Sequence, residues 1–155
     1  MAPVRLAMIG CGGIAGNHLR AYLRIRQEEP DRLQLVAMCD PIRQRAEDFA
    51  VQAASVQGSL PAVYEDVQEM LARQAIDAAD IACPHGLHHV IGVACLQAGV
   101  HVLIEKPFGV TIRASKAILR RRGESGAHRC HGGEHPPWPQ PAYRPLAPPR
   151  PPPPG

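Results

Sequence analysis

Apolar positions in the first 120 residues fall into short unbroken runs, and each run is followed by a stretch with helical spacing. Val4–Ile9 (VRLAMI) is a strand-like run that stops at glycine, and residues 13–26 carry Leu19 and Leu23 at helical spacing among basic residues. Pro30 and Asp31 end that helix, and Leu33–Cys39 (LQLVAMC) is a second apolar run closed by Asp40 and Pro41. The alternation continues with a helix over 42–54, a brief strand over Ala62–Tyr64, a helix over 65–73 and a strand over 77–83. An apolar helix over 87–98 capped by Gly99 follows, then a strand over His101–Glu105 and a helix over 111–121 with Thr111 at its N-cap. Strands that are apolar along their whole length are covered on both faces. The pattern therefore predicts an α/β fold, a Rossmann-type doubly wound parallel sheet with helices on both faces.

After Arg122 the periodicity stops. Gly, His and Arg dominate up to residue 135, and the last twenty residues hold 11 of the 17 prolines. Proline fixes its own backbone angle and lacks an N–H, so 123–155 is expected to be a disordered tail without helix or strand, polyproline-like over 136–155. The domain is then 1–122.

A chain of 155 residues supports one domain with a real core. The whole positive excess behind the net charge of +3 lies in residues 120–155, because residues 1–119 carry 11 Lys and Arg against 12 Asp and Glu. A near-neutral domain lacks the basic face a nucleic-acid partner requires. No apolar stretch is long enough to cross a bilayer and no secretory leader pattern opens the chain, so no membrane partner is expected. Five cysteines, with no C-x-x-C pair, read as reduced thiols in a cytoplasmic protein.

Chemistry enters at Gly10-Cys11-Gly12-Gly13-Ile14-Ala15, a G-x-G-x-x-A sequence that follows one strand and opens a helix. Gly10 permits the tight turn, Gly12 and Gly13 let the backbone approach a pyrophosphate, and Ala15 lets helix and strand pack closely. The helix start, with Ile14 in its first turn, then offers free N–H groups to phosphate oxygens. The competing reading is a turn whose glycines serve geometry alone. Asp40 closes the second strand, where a carboxylate accepts hydrogen bonds from the adenosine ribose and repels a 2′-phosphate. This favours NAD over NADP, although Arg43 lies three residues on, and an Asx turn at Asp40-Pro41 remains the plainer alternative.

Two further motifs carry a family resemblance. Cys83-Pro84-His85-Gly86-Leu87-His88 follows a strand, and Ala98-Gly99-Val100-His101-Val102-Leu103-Ile104-Glu105-Lys106-Pro107 spans the next one. With the glycine loop these resemble the Gfo/Idh/MocA oxidoreductases, over residues 4 to about 119. The resemblance implies an NAD(P)-dependent oxidoreductase acting on a sugar or cyclitol hydroxyl. It implies that Cys83, Pro84 and His85 border the cofactor, with His88 ordering the loop beside it. It also implies that Glu105 and Lys106 lie at the nicotinamide end, and that Pro107 follows an often cis peptide bond. Lys106 is the candidate catalytic residue, as a proton carrier or as a fixed cation polarising a sugar oxygen; the alternative is a surface lysine paired with Glu105. Metal ligation is disfavoured for His85, His88 and His89 because the set lies across a loop and a helix start, and for His131 and His135 because no periodicity in the tail holds a helix.

The family continues into a sixth strand and a second α/β domain that carries substrate and oligomer contacts, and neither is recognisable here. The sheet is therefore expected to be one strand short, with an exposed edge prone to association. The composition after Gly123 is that of high-GC codons read out of frame, so we expect a frameshift or truncation product. Reading the encoding DNA in its other two frames should then recover the family pattern, and finding none would sink the idea. A dinucleotide-binding module without catalysis, and a partner-binding proline tail around Pro148-Pro149-Arg150-Pro151, are the other readings.

Overall fold

The computed structural model describes residues 2–125 and 129–132, with side chains over 2–121. Six parallel strands form one sheet: β1 (Val4–Ile9), β2 (Leu33–Cys39), β3 (Ala62–Tyr64), β4 (Ala78–Ile81), β5 (His101–Glu105) and β6 (Arg129–Gly132). They lie in the order β3-β2-β1-β4-β5-β6. The helices are α1 (Gly13–Glu28), α2 (Arg43–Gln57), α3 (Val67–Arg73), α4 (His88–Gln97) and α5 (Ile112–Ser125), with a short 3-10 turn at His85–Leu87 before α4. Strand order reverses between β1 and β4, and in open α/β sheets a ligand crevice opens at the strand carboxyl ends beside such a point.

Side-chain alternation divides the core. Leu6 and Met8 of β1 join the cluster under α1 and α2, with Leu19, Phe49 and Ala53. Ala7 and Ile9 face the opposite layer, with Met70, Leu96, Ile104 and Ile118. Strand β2 changes face midway. Leu6 pairs with Leu35 but Ala7 pairs with Ala37, so Val36 is an extra residue. This bulge moves Leu33 and Leu35 to one layer and Ala37 and Cys39 to the other. Two predicted caps form as expected. The Thr111 hydroxyl oxygen accepts from the Ala114 N–H at 3.1 Å, and Gly99, at φ +76°, closes α4 in the left-handed conformation.

The expectation of a missing last strand is corrected. Helix α5 runs to Ser125, and β6 pairs with β5 from Val102↔Arg129 to Glu105↔Gly132. The stretch Arg129–Gly132 has no apolar alternation, so periodicity could not reveal it. A parallel ladder needs backbone donors and acceptors at a free edge, which β5 offers whatever side chains arrive. The sheet therefore continues past residue 122, and the outer edge of β5 is paired. The expected disordered tail over 133–155, its proline motif and the side chains of His131 and His135 lie outside the described residues.

Candidate functional site

The glycine loop joins β1 to α1 at the strand carboxyl ends. Gly10 has φ +89°, and a Cβ there would stand 2.6 Å from the Ala82 carbonyl oxygen. Its glycine therefore serves close approach of the loop to β4 as well as the turn itself. Gly12 differs, because a Cβ on it or on Gly13 would meet no atom within 4 Å. Among the described residues, nothing fills the space before these two glycines. Gly12 is the N-cap of α1, no side chain caps the helix, and its first turn has no acidic residue. An open cradle facing an uncapped helix N-terminus fits an anionic pyrophosphate.

Asp40 is only 5% exposed and both of its oxygens are engaged. Oδ2 accepts the Cys11 N–H at 2.9 Å and Oδ1 accepts the Ile42 N–H at 2.8 Å. The second contact is the Asx turn held open as an alternative, and the first ties β2 to the glycine loop. Each carboxylate oxygen has two lone pairs, so acceptor capacity remains for a ribose hydroxyl. Arg43 does not turn toward Asp40: its guanidinium bonds Glu47 at 2.8 Å and Glu65 at 3.3 Å.

At the ends of β4 and β5, Ile14, Cys83, His85, Glu105, Lys106 and Pro107 line one crevice of about 630 Å³. Five of these six are residues marked out by the motifs as cofactor-lining. Pro84 is exposed in the same loop and precedes the 3-10 turn. The Lys106-Pro107 bond is cis. Lys106 is exposed, and among the described residues no carboxylate pairs with its Nζ. Glu105 instead accepts the Lys106 backbone N–H on Oε2 at 2.8 Å. His88 lies behind the crevice and not in its lining. It is fully buried, with Nδ1 2.8 Å from the Pro107 carbonyl oxygen and Nε2 2.8 Å from that of Cys83. It joins the two crevice loops from behind.

Burial pushes the Cys83 thiol up to about 11, so at neutral pH it is a lining group and no nucleophile. Cys11, Cys39 and Cys95 are pushed up to about 12 for the same reason. Alkylation at pH 7 is expected to leave all four unlabelled in the native chain, with Cys83 labelling first as pH is raised. Rapid labelling of Cys83 at pH 7 would contradict this.

Periodicity did not single out one polar group beneath the crevice. His18, one turn into α1, has Nδ1 2.8 Å from Asp80 Oδ2 and Nε2 3.2 Å from Glu105 Oε1. The Tyr22 hydroxyl donates to the same Asp80 oxygen at 2.7 Å. Asp80 is fully buried inside the run Ala78–Ile81, and a buried carboxylate in an apolar strand is a signal that partners must converge on it. The hydrogen bond to Asp80, with the Asp80 charge and the Glu105 bond adding to it, raises His18 above its ordinary range against the opposing effect of burial.

A parallel sheet with this strand order, an open glycine cradle and a lysine at the end of β5 define a dinucleotide-binding Rossmann domain. The chain belongs to the oxidoreductase family with an NAD-binding Rossmann fold, GFO_IDH_MocA, which matches residues 4–130. It is similar to D-apiose dehydrogenase of Paraburkholderia graminis, 32% identical over 113 residues, covering 73% of this chain and 28% of that protein. It is also similar to D-glucoside 3-dehydrogenase of Escherichia coli, 31% identical over 133 residues, covering 84% and 35%. Among solved structures, the WlbA dehydrogenase from Bordetella pertussis, in complex with NADH and UDP-GlcNAcA, superposes with a TM-score of 0.70 at 30% identity. That match covers 84% of this chain and 37% of the other. The chain thus spans about a third of the length of the curated relatives it matches. Among the described residues, no helix is long and apolar enough to cross a membrane.

Proposed function

We propose that the chain holds NAD across the carboxyl ends of β2, β1, β4 and β5, as the cofactor half of an oxidoreductase acting on a sugar or cyclitol hydroxyl. The observation that carries this reading is the shared edge of the open Gly12 cradle and the Lys106 crevice, which Ile14 joins. Pyrophosphate oxygens would take the N–H groups at the start of α1, the adenosine ribose would meet Asp40, and the nicotinamide would lie beside Cys83, His85, Glu105 and Lys106. When bound, NAD supplies the hydride acceptor. Lys106 then holds the substrate oxygen as a hydrogen-bond donor and fixed positive charge.

Preference for NAD follows from Asp40 together with the engagement of Arg43 by Glu47 and Glu65. NADH is expected to bind at least about tenfold more tightly than NADPH, the scale of one unfavourable charged contact. Equal affinities in parallel titrations would remove this assignment. Titration with NADH and turnover on a panel of sugars and cyclitols test the wider reading. Binding with turnover supports the enzyme. Binding without turnover favours the second reading, a dinucleotide-binding module without catalysis.

A further inference from the structure

We propose that His18 is a positioning residue for the nicotinamide end of the crevice, a latch that ties Glu105 to the buried Asp80 and through Glu105 sets the backbone of Lys106. The contacts form one chain across three elements. Asp80 on β4 meets Nδ1 of His18 on α1, and Nε2 of His18 meets Glu105 Oε1 at the end of β5. The other Glu105 oxygen then accepts the Lys106 N–H. Glu105 is 14% exposed and the Asp80 side chain is fully buried, so the latch runs from the interior to the crevice wall.

Proton counting gives the latch its character. A neutral imidazole donates from one nitrogen only, whereas both His18 nitrogens face carboxylate oxygens. Only the imidazolium donates to both. Among the described residues, the charged or titratable groups gathered at the ring are Asp80 from β4, Glu105 from β5 and, through Asp80, Tyr22 from α1 itself. None is a cation, and Asp80 Oδ1 has no hydrogen-bond partner, which leaves uncompensated negative character on the buried side. Both ring nitrogens are already used, so the group is not a metal site.

The sign follows from the direction of the shift. His18 is raised above its ordinary value of 6.5, so the latch is fully closed below that value and opens as pH rises through the raised one. On opening, the longer contact, to the partly exposed Glu105, is the one released. The latch matters for catalysis only if the dinucleotide reading holds, but it can be tested on the free chain.

The test is the Lys106 backbone amide resonance of the full-length chain, followed from pH 5.5 to 9 beside the His18 ring resonances. The Lys106 amide is expected to titrate together with His18, at a midpoint above 6.5, and to lose that step in His18→Gln. If His18→Gln does not fold, Glu105→Gln serves: the His18 midpoint should fall and the Lys106 amide should no longer follow it. A Lys106 amide that stays flat while His18 titrates, or a His18 midpoint unmoved in Glu105→Gln, would overturn the proposal. A parallel NADH titration separates this outcome from failure of the cofactor reading, because the latch resonances require no cofactor.

Discussion

Gly10→Ala is expected to cost the fold about 3 to 5 kcal/mol, a large share of the roughly 5 to 15 kcal/mol that holds an ordinary domain together. Two effects combine. The backbone at Gly10 has φ +89°, a region that residues with a Cβ rarely adopt, and the new methyl would stand 2.6 Å from the Ala82 carbonyl oxygen and 2.7 Å from its carbon. Both opposing atoms are main chain in the ladder between β1 and β4, where the Ala82 N–H donates to the Ile9 carbonyl at 2.9 Å. Neither can swing aside as a side chain could, so the strands would have to separate at the point the site depends on. Urea denaturation checks this. A midpoint near wild type would show that the loop has room the structure denies it.

Gly12→Asp is expected to do the reverse, keeping stability within about 1 kcal/mol of wild type while abolishing dinucleotide binding. Gly12 is the N-cap of α1 with extended backbone, φ −89° and ψ −165°, and a Cβ meets nothing within 4 Å. Aspartate is a favoured N-cap, so the helix gains a side-chain acceptor and a charge that suits its dipole. Those same N–H groups are the ones offered to the pyrophosphate. A carboxylate there occupies them and repels a phosphate about 4 Å away by about 4 kcal/mol, which predicts at least a hundredfold loss of NADH affinity. Calorimetric titration alongside thermal melting checks both halves. Tight NADH binding by a folded Gly12→Asp chain would move the pyrophosphate elsewhere. Together the two substitutions separate the glycine that builds the loop from the one that leaves room before it.

Most of this candidate site is legible in the sequence, for a physical reason. The glycine loop, Asp40, the Cys83 to His88 loop and Glu105-Lys106-Pro107 are short local motifs at the ends of strands whose apolar runs mark those ends. What escaped was non-local or lacked a periodic signal. His18, Asp80 and Glu105 are brought together only because β1, β4 and β5 are neighbours and α1 crosses above them. The one local hint was Asp80, a charge inside an otherwise apolar strand. Strand β6 escaped because Arg129–Gly132 pairs through its backbone and has no apolar alternation to read. His88 belongs to the same local loop motif, yet it is fully buried behind the crevice. A motif fixes neighbourhood, whereas burial decides which way a side chain faces.

The central claim is that the carboxyl ends of β2, β1, β4 and β5 hold a nicotinamide dinucleotide. Calorimetric titration of the full chain with NADH tests it most directly. We predict saturable binding at one site per chain, lost in Gly12→Asp. A folded wild-type chain that shows no saturation up to millimolar NADH would contradict it.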